Sequence, residues 1–523
     1  MQSQTHPEFA LHHLLRNSAE RDPERAAIVE GRTEHTYEEL ERRSDALGAA
    51  LVEEGVRKGE RVGIYMEKSW EAAVAILAAS KAGAAFVNVN PILKPSQVSY
   101  IVRDCDIGVM VGDSDKLASL GEEDVRTAFY KGEEPPEDLG GSVTALEEAF
   151  RAGGRTEREV LETDLGGILY TSGSTGMPKG VSLSQRNIVA SALMPTYLEN
   201  NKEDRILSAL PFSFDYGLNQ LTTVLQAGAA LVLQNLRLPG DLLKNLREHR
   251  ITGLAGVPPL WTLLLRSKKA LEEQPLEELR YIANSGGQIP QANLDELRRL
   301  LPHTKIFLMY GQTESFRSTY LPAEDLDRGS DCIGKPLLNT EILILNDAGE
   351  ECAPGETGHL VHRGPTVTLG YWNKQEQTRE VFRPHPFSPP ELVDSEKVVY
   401  SGDLARRDEQ GYIYFVGRES QLIKPGGYRL GPEEVENLLT SSDLVSEACP
   451  FGLPDGEAGE QVAAVISLQN GQDEGTLDKI REFCMRNAPP YMVPKKMEVW
   501  KELPKTASGK LNRPEIREGF SAG

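Results

Sequence analysis

Cysteine is scarce in this chain: five residues in 523, at Cys105, Cys332, Cys352, Cys449 and Cys484, with no Cys-x-x-Cys pair among them. That spacing excludes a disulfide framework and a thiolate zinc site, and reduced thiols in a cytoplasmic protein are the expectation. Long apolar runs are missing too. The most apolar stretch, 70–89, is interrupted by Lys81 and Gly83. It is too broken to cross a bilayer, so no stable membrane insertion is expected. Residues 1–15 carry no basic segment followed by an apolar one, so no secretory signal is read there. Positive charge is the third deficit: 57 Lys and Arg against 79 Asp and Glu leave a net charge of −22. Such a surface repels nucleic acid and anionic lipid. Nucleic acid is therefore excluded as a bulk partner, and any anionic ligand must be held by local donors.

What is present is an ordinary globular profile, 39% hydrophobic and 26% charged, at a length that suggests several domain-sized units. In the first half short β-rich runs alternate with helical patterns. RVGIYM at 61–66 reads as a strand, 70–81 as a helix with small residues on one side, and 84–89 as the next strand. The alternation resumes after Arg205 with ILSALPF and a helix from Leu218. This predicts an α/β fold whose large N-terminal domain has two parallel-type sheets covered by helices. The stretch 121–163 is acidic with few large apolar residues and reads as surface helices and loops. From about 340 to 414, strands broken by Gly and Pro predict a small β subdomain. Beyond Arg418, a helix at 432–439, a strand at 461–468 and a helix at 476–487 predict a separate small α+β domain. The boundaries read as 1–418 for the large domain, with its β subdomain at about 320–418, and 419–523 for the small one.

The most informative segment is YTSGSTGMPKG at 170–180. Its glycines, hydroxyls and single lysine form a loop dense in donors (Thr171, Ser172, Gly173, Ser174, Thr175, Gly176 and Lys179) that could wrap a polyphosphate. The Walker pattern requires Gly-Lys followed by Ser or Thr at the start of a helix. Here Pro178 precedes Lys179 and Gly180 follows it, so that pattern fails. The continuation VSLSQRN reads as a second strand, which makes the segment a hairpin-like loop between two strands rather than a strand-to-helix turn.

In order along the chain follow YGQTE (310–314), GETGHLVHRGPTVTLGYW (355–372), YSGDLA (400–405), GYIYFVGR (411–418), IKPGGYRLGPEEVE (423–436), APPYMVP (488–494) and PKTASGKLNR (504–513). Together with the loop, this set resembles the AMP-forming adenylating ligases: acyl-CoA synthetases, adenylation domains of nonribosomal peptide synthetases, and firefly-type luciferases. The resemblance covers nearly the whole chain. It implies that a carboxylate attacks the α-phosphate of ATP to give an acyl-adenylate and pyrophosphate, and that a thiol then displaces AMP. It also implies ATP and Mg²⁺, with coenzyme A or a carrier-protein phosphopantetheine as the thiol.

By the same resemblance the loop from Thr171 to Lys179 takes the β- and γ-phosphates. Thr175 lies near the metal and the α-phosphate, Glu314 holds Mg²⁺, and Thr313 contacts the α-phosphate. Tyr310 lies against the adenine, with Gly287, Gly311 and Gln312 completing the nucleotide side. Asp403 accepts both ribose hydroxyls, a task suited to a group with two acceptor oxygens and no donor, and Arg418 adds a second ribose contact. Lys510 matches the catalytic lysine, carried on a mobile cap that rotates to present Gly426, Gly427 and Tyr428 to the thiol. The pivot position is Ser420, where the family has Asp or Lys, and Gln421 follows it. Alone, a Glu in a loop, an Asp in a Ser-Gly-Asp turn or a Lys near a C-terminus would read as a solvated side chain; the surrounding motifs carry these assignments.

For the acid, the resemblance points to Phe214, Asp215, Asn284, Gly286 and Gly311. Many acyl-CoA synthetases have a histidine where this chain has Phe214. The pair Phe214-Asp215 instead resembles peptide-synthetase adenylation domains, whose Asp binds a substrate amino group. The alternative is that Asp215 faces outward or caps the helix near Leu218, and the acid is a plain acyl chain. The leading expectation is an acyl-CoA synthetase, the alternative a stand-alone amino-acid adenylation enzyme that loads a separate carrier protein. An oxygenase of the luciferase kind would show light emission or oxygen uptake, and a non-catalytic relative would be free to lose Lys510, Glu314 or Asp403.

Overall fold

The computed structural model describes residues 7–120, 125–137, 139–156, 158–171, 178–234, 240–392, 396–423, 425, 430–455, 460–469, 475–506 and 509–521. Among these residues three sheets form. The first runs Gly370–Tyr371, Lys179–Ser184, Leu165–Thr171, Ala85–Asn88, Arg61–Tyr65, Val109–Asp113, Thr127–Lys131, Ser142–Ala145. Its centre is parallel, and Ala85–Asn88 is buried throughout. A parallel strand covered by helices on both faces has no solvent side, hence its unbroken apolar character.

The last two strands overturn the reading of 121–163 as surface helices and loops. Thr127–Lys131 adds to the sheet parallel to Val109–Asp113, and Thr127, Ala128 and Phe129 are buried. Five residues with two large aromatics are enough for a strand when a neighbour already offers its edge; the acidic flanks diluted that signal.

The second sheet starts from parallel strands, with Tyr281–Asn284 lying between Gly253–Gly256 and Lys305–Gln312. At Lys305–Gln312 the direction reverses. Phe316–Leu321 returns antiparallel, and Cys332–Pro336, Ile413–Arg418, Lys397–Arg407, Thr357–Arg363 and Glu341–Leu345 continue outward. The small β region expected from about 320 therefore grows out of the parallel sheet's edge rather than standing apart from it. Between the two sheets lie the helices Trp70–Lys81 and Asp215–Ala227. The first buries every residue except Glu71, as a helix between two sheets must.

The C-terminal region packs the helices Pro432–Thr440, Thr476–Asn487 and Arg513–Ser521 around the three-stranded sheet Val445–Pro454, Glu460–Leu468, Lys496–Val499. Ser420 lies in the short turn Glu419–Gln421, directly after the strand ending at Arg418. All five cysteines are unpaired, and no helix among the described residues is long and apolar enough to cross a membrane.

Lys81, which interrupts the most apolar stretch of the sequence, is wholly buried. Its ammonium sits 2.8 Å from Glu41 Oε2 and 2.8 Å from Asp45 Oδ1, and donates to the Glu41 carbonyl at 3.0 Å. Removing the lysine leaves both carboxylates to more distant cations, Arg16 at 3.7 Å from Glu41 and Arg155 at 3.9 Å from Asp45, and costs a buried cluster its central charge. Lys81→Ala should cost about 3 kcal/mol, seen as a lower denaturant midpoint for the large domain; an unshifted midpoint would show that the carboxylates are fully rescued by water.

Candidate active site

The donor-rich segment does form a hairpin. Leu165–Thr171 pairs antiparallel with Lys179–Ser184, and Thr171 faces Lys179 across its mouth. Ser172, Gly173, Ser174, Thr175 and Gly176, at its tip, lie outside the described residues. The base is tied down from behind: Tyr170 donates its hydroxyl to Asp104 Oδ2 at 2.5 Å. Lys179 Nζ donates to the Tyr371 hydroxyl at 3.0 Å and lies 4.1 Å from that ring's centre. Tyr371 in turn donates to Glu314 Oε1 at 2.6 Å, and Lys179 Nζ stands 3.7 Å from the same oxygen. Tyr371 owes its place to the short edge strand Gly370–Tyr371, which pairs with Val181 and Ser182. Sequence reasoning quoted its motif without assigning it a role; the signal available was the aromatic pair closing the GYW stretch.

Glu314 is set by a tight reversal. A Cβ at Gly311 would fall 1.9 Å from the Phe316 carbonyl oxygen, and the ladder slips between Tyr310 and Gly311. Only glycine permits that approach. Gln312 ends the strand opposite Phe316, whose φ of +52 closes the turn. Within the turn, Thr313 Oγ1 donates to Asp215 Oδ1 at 3.3 Å.

Asp403 is 3% exposed. Tyr310 donates its hydroxyl to Oδ2 at 2.5 Å and Arg418 donates Nε to Oδ1 at 3.0 Å. The strand register fixes the second contact, since Asp403 and Arg418 are direct cross-strand partners. Burial raises the Asp403 pKa, an effect that Arg418 and the Tyr310 hydroxyl oppose. Burial and the neighbouring carboxylate push the Tyr310 phenol well up, so it stays a donor.

Lys510 arrives from the C-terminal region in a turn where Lys505 bridges Leu511 and the Thr506 amide donates to the Lys510 carbonyl at 2.7 Å. A Cβ placed on Gly286 would lie 3.5 Å from Lys510 Cε. Gly286 has φ +77, so both its conformation and the approaching lysine favour glycine. Gly287 lies against Pro258. Although the residue is exposed overall, burial around the ammonium and the Arg418 charge lower the Lys510 pKa, against the pull of Asp215 and Asp403. Asp215 opens the helix Asp215–Ala227 without a side-chain cap, and Phe214 is its N-cap residue. The Asp215 carboxylate faces Thr313 inside the cleft, and burial raises its pKa while Lys510 lowers it. Asn284 differs from the others. Its Oδ1 accepts from Trp261 Nε1 at 2.7 Å and its Nδ2 donates to the Gly287 carbonyl at 2.8 Å, so its amide braces the Gly286–Gly287 loop.

Among the described residues no cluster of three metal-ligating side chains forms. Glu314 is one carboxylate beside the mouth of the hairpin. That donor set fits Mg²⁺ arriving with a nucleotide, because Mg²⁺ keeps waters and phosphate oxygens and needs only one or two carboxylates. Gly426, Gly427 and Tyr428 lie outside the described residues.

The family model described as AMP-binding enzyme matches residues 15–372, and that described as AMP-binding enzyme C-terminal domain matches 434–510. Bacitracin synthase 3 of Bacillus licheniformis is 30% identical over 98% of this chain, which spans only 8% of that longer protein. The L-proline–[L-prolyl-carrier protein] ligase of Streptomyces coelicolor is 32% identical over 95% of this chain and 94% of its own length. The solved structure of o-succinylbenzoate CoA synthetase from Bacillus subtilis, in complex with its acyl-adenylate intermediate, superimposes with a TM-score of 0.81 at 27% identity, over 98% of both chains. Two family models in order on a chain whose motif residues meet in one cleft lead to one conclusion: the chain belongs to the AMP-binding enzyme family.

Proposed function

We propose that this protein is an ATP-dependent, AMP-forming acid–thiol ligase. It activates a carboxylic acid as an acyl-adenylate, with release of pyrophosphate, and passes the acyl group to a thiol with release of AMP. The observation that carries this reading is the approach of Lys510, from the C-terminal region, to Gly286 and into the field of Asp215, Asp403 and Arg418.

Two anions meet in the first step, so fixed positive charge at their meeting point is what lowers the barrier. Lys510 supplies that charge, between the acid carboxylate and the ribose side of the nucleotide. Asp403 receives the ribose hydroxyls on lone pairs left free by Tyr310 and Arg418, since a carboxylate has about four acceptor sites. Tyr310 backs the adenine, and Thr313 orients the α-phosphate. Lys179 and the hairpin tip around Thr175 hold the terminal phosphates. Glu314 would hold Mg²⁺, which offsets phosphate charge when bound.

We favour coenzyme A as the acceptor, a reading supported by full-length likeness to an o-succinylbenzoate CoA synthetase. A carrier-protein phosphopantetheine is the second reading, favoured by likeness to a prolyl-carrier ligase and by Asp215 in the cleft, a natural partner for a substrate amine. The small domain begins after Arg418 and turns at Ser420, presenting Gly426, Gly427 and Tyr428 to the thiol in a second pose. A cytoplasmic setting suits its ATP demand and reduced thiols.

Lys510→Ala should lower acid-dependent pyrophosphate release by on the order of 10²- to 10³-fold, while thioester formation from a supplied acyl-adenylate continues; undiminished release would remove the lysine from the chemistry. The pH profile gives a second check. Because the folded-state Lys510 pKa is lowered, its charge, and with it the adenylation rate, should fall as pH rises, beginning below the ordinary lysine range. In Lys510→Arg, whose charge persists, the remaining activity should lose that alkaline limb. Asp215→Asn should abolish activation of amino acids and spare simple acids, measured as pyrophosphate release over both classes; equal losses would exclude an amine contact.

A further inference from the structure

The cleft holds a buried cation that the adenylation chemistry leaves without a task. Arg317 is 8% exposed and stands cross-strand from Gly311. Its guanidinium reaches back to the helix Asp215–Ala227, lying 5.0 Å from the centre of the Tyr216 ring. One Nη donates to the Tyr197 hydroxyl at 3.3 Å and the other to Asn219 Oδ1. Nε is buried and has no hydrogen-bond partner, and the amide oxygen of Gln220, on the same helix, also lacks one. Among the described residues no carboxylate pairs with this arginine; burial works against its charge, and the phenols of Tyr197, Tyr216 and Tyr281 offset that.

Five donors on a planar fork are more than two neutral acceptors can satisfy, and a buried charge without a counter-ion is costly. The surrounding phenols and amide stabilise the charge without cancelling it. The position is informative. Tyr216 follows Asp215, which touches Thr313 beside the metal-binding turn, and Arg317 faces Gly311 of the same turn. If the acid enters beside Asp215, as the proposed function has it, the guanidinium stands against the next residue of the same helix, Tyr216.

We propose that the acid activated by this enzyme carries a second, anionic group, a carboxylate, and that Arg317 is the specificity-determining residue that receives it. This rests on the reading of the cleft as an acid-activating site. A guanidinium matches a carboxylate with two parallel hydrogen bonds, so the pairing would supply at once the counter-charge and the acceptors that Arg317 lacks.

The test is pyrophosphate release by the wild-type chain with dicarboxylic acids of three to six carbons, with and without an α-amino group. Each is compared with its ω-amide and its ω-methyl analogue. The expected result is a kcat/KM at least about 100-fold higher for a dicarboxylic acid than for its matched amide and methyl forms, as for sites whose buried polar groups would otherwise stay unpaired. Arg317→Gln should raise KM for the dicarboxylic acid and flatten the preference, and Arg317→Lys should restore part of it. Equal turnover of the matched forms by the wild type, or a preference that survives in folded Arg317→Gln, overturns the proposal while leaving the ligase reading intact. Release with none of these acids overturns this proposal; the ligase reading falls with it only if fatty, aromatic and amino acids also give none.

Discussion

A carboxylate held almost entirely out of water organises this molecule. Asp403 stands on a strand of the antiparallel extension, Tyr310 on the last parallel strand, and Arg418 on the strand that ends the large domain. Their two hydrogen bonds to Asp403 tie the parallel sheet to its extension at the edge of the cleft. Arg418 is also the residue before the turn at Ser420, and its charge acts on Lys510. One buried acid thus connects the sheet, its extension, the turn after Arg418 and the C-terminal lysine. Without the ion pair the burial would be prohibitive; with it, the carboxylate still has lone pairs free to accept.

The overall charge of −22 gives this arrangement its sense. A field of that sign opposes a polyanionic nucleotide, so the cleft must create its own potential. It does so by concentrating cations, with Lys179 at the hairpin, Arg418 and Lys510 near Asp403, and Arg317 against Tyr216. Each is balanced differently. Lys179 leans on a tyrosine shared with Glu314 and Arg418 on Asp403, Lys510 feels the charges of Asp215 and Asp403 without a direct ion pair among the described residues, and Arg317 has phenols and an amide. That asymmetry sets Arg317, held by neutral groups, apart from the cations that stand near carboxylates.

Elements whose cause is local were legible in the sequence. The helix Trp70–Lys81 and the helix Thr476–Asn487 follow from periodicity and take the predicted bounds. The hairpin around 171–179 follows from its turn-rich tip between two apolar runs. The motif residues Tyr310, Glu314, Asp403 and Lys510 were legible through the resemblance. What was hidden depends on distant partners. Thr127–Lys131 becomes a strand because Val109–Asp113 offers an edge. Lys81 reads as a break in an apolar run because its counter-ions stand some forty positions earlier. The continuity of the antiparallel strands with the parallel sheet rests on a reversal that one glycine, Gly311, allows. Nothing in the sequence singles out Arg317; its burial among tyrosines is a property of the fold.

The loop that leads into the helix Asp215–Ala227 is held in place by side chains next to the first sheet. The loop leading into Phe214 and Asp215 runs past the first sheet, where Lys68 donates to the carbonyls of Ser208 and Leu210 and Asn88 donates to that of Phe212 at 3.0 Å. Lys68 is 7% exposed, and burial lowers its pKa to about 7. Near neutral pH its charge is therefore only partly present, yet an amine still donates when uncharged, so the grip rests on hydrogen bonding to backbone oxygens. A contact of that kind sets position and adds little field. It leaves the local field to Asp215 at the start of its helix, Lys510 from the C-terminal region and Arg317 on the second sheet, while the first sheet holds the loop in place.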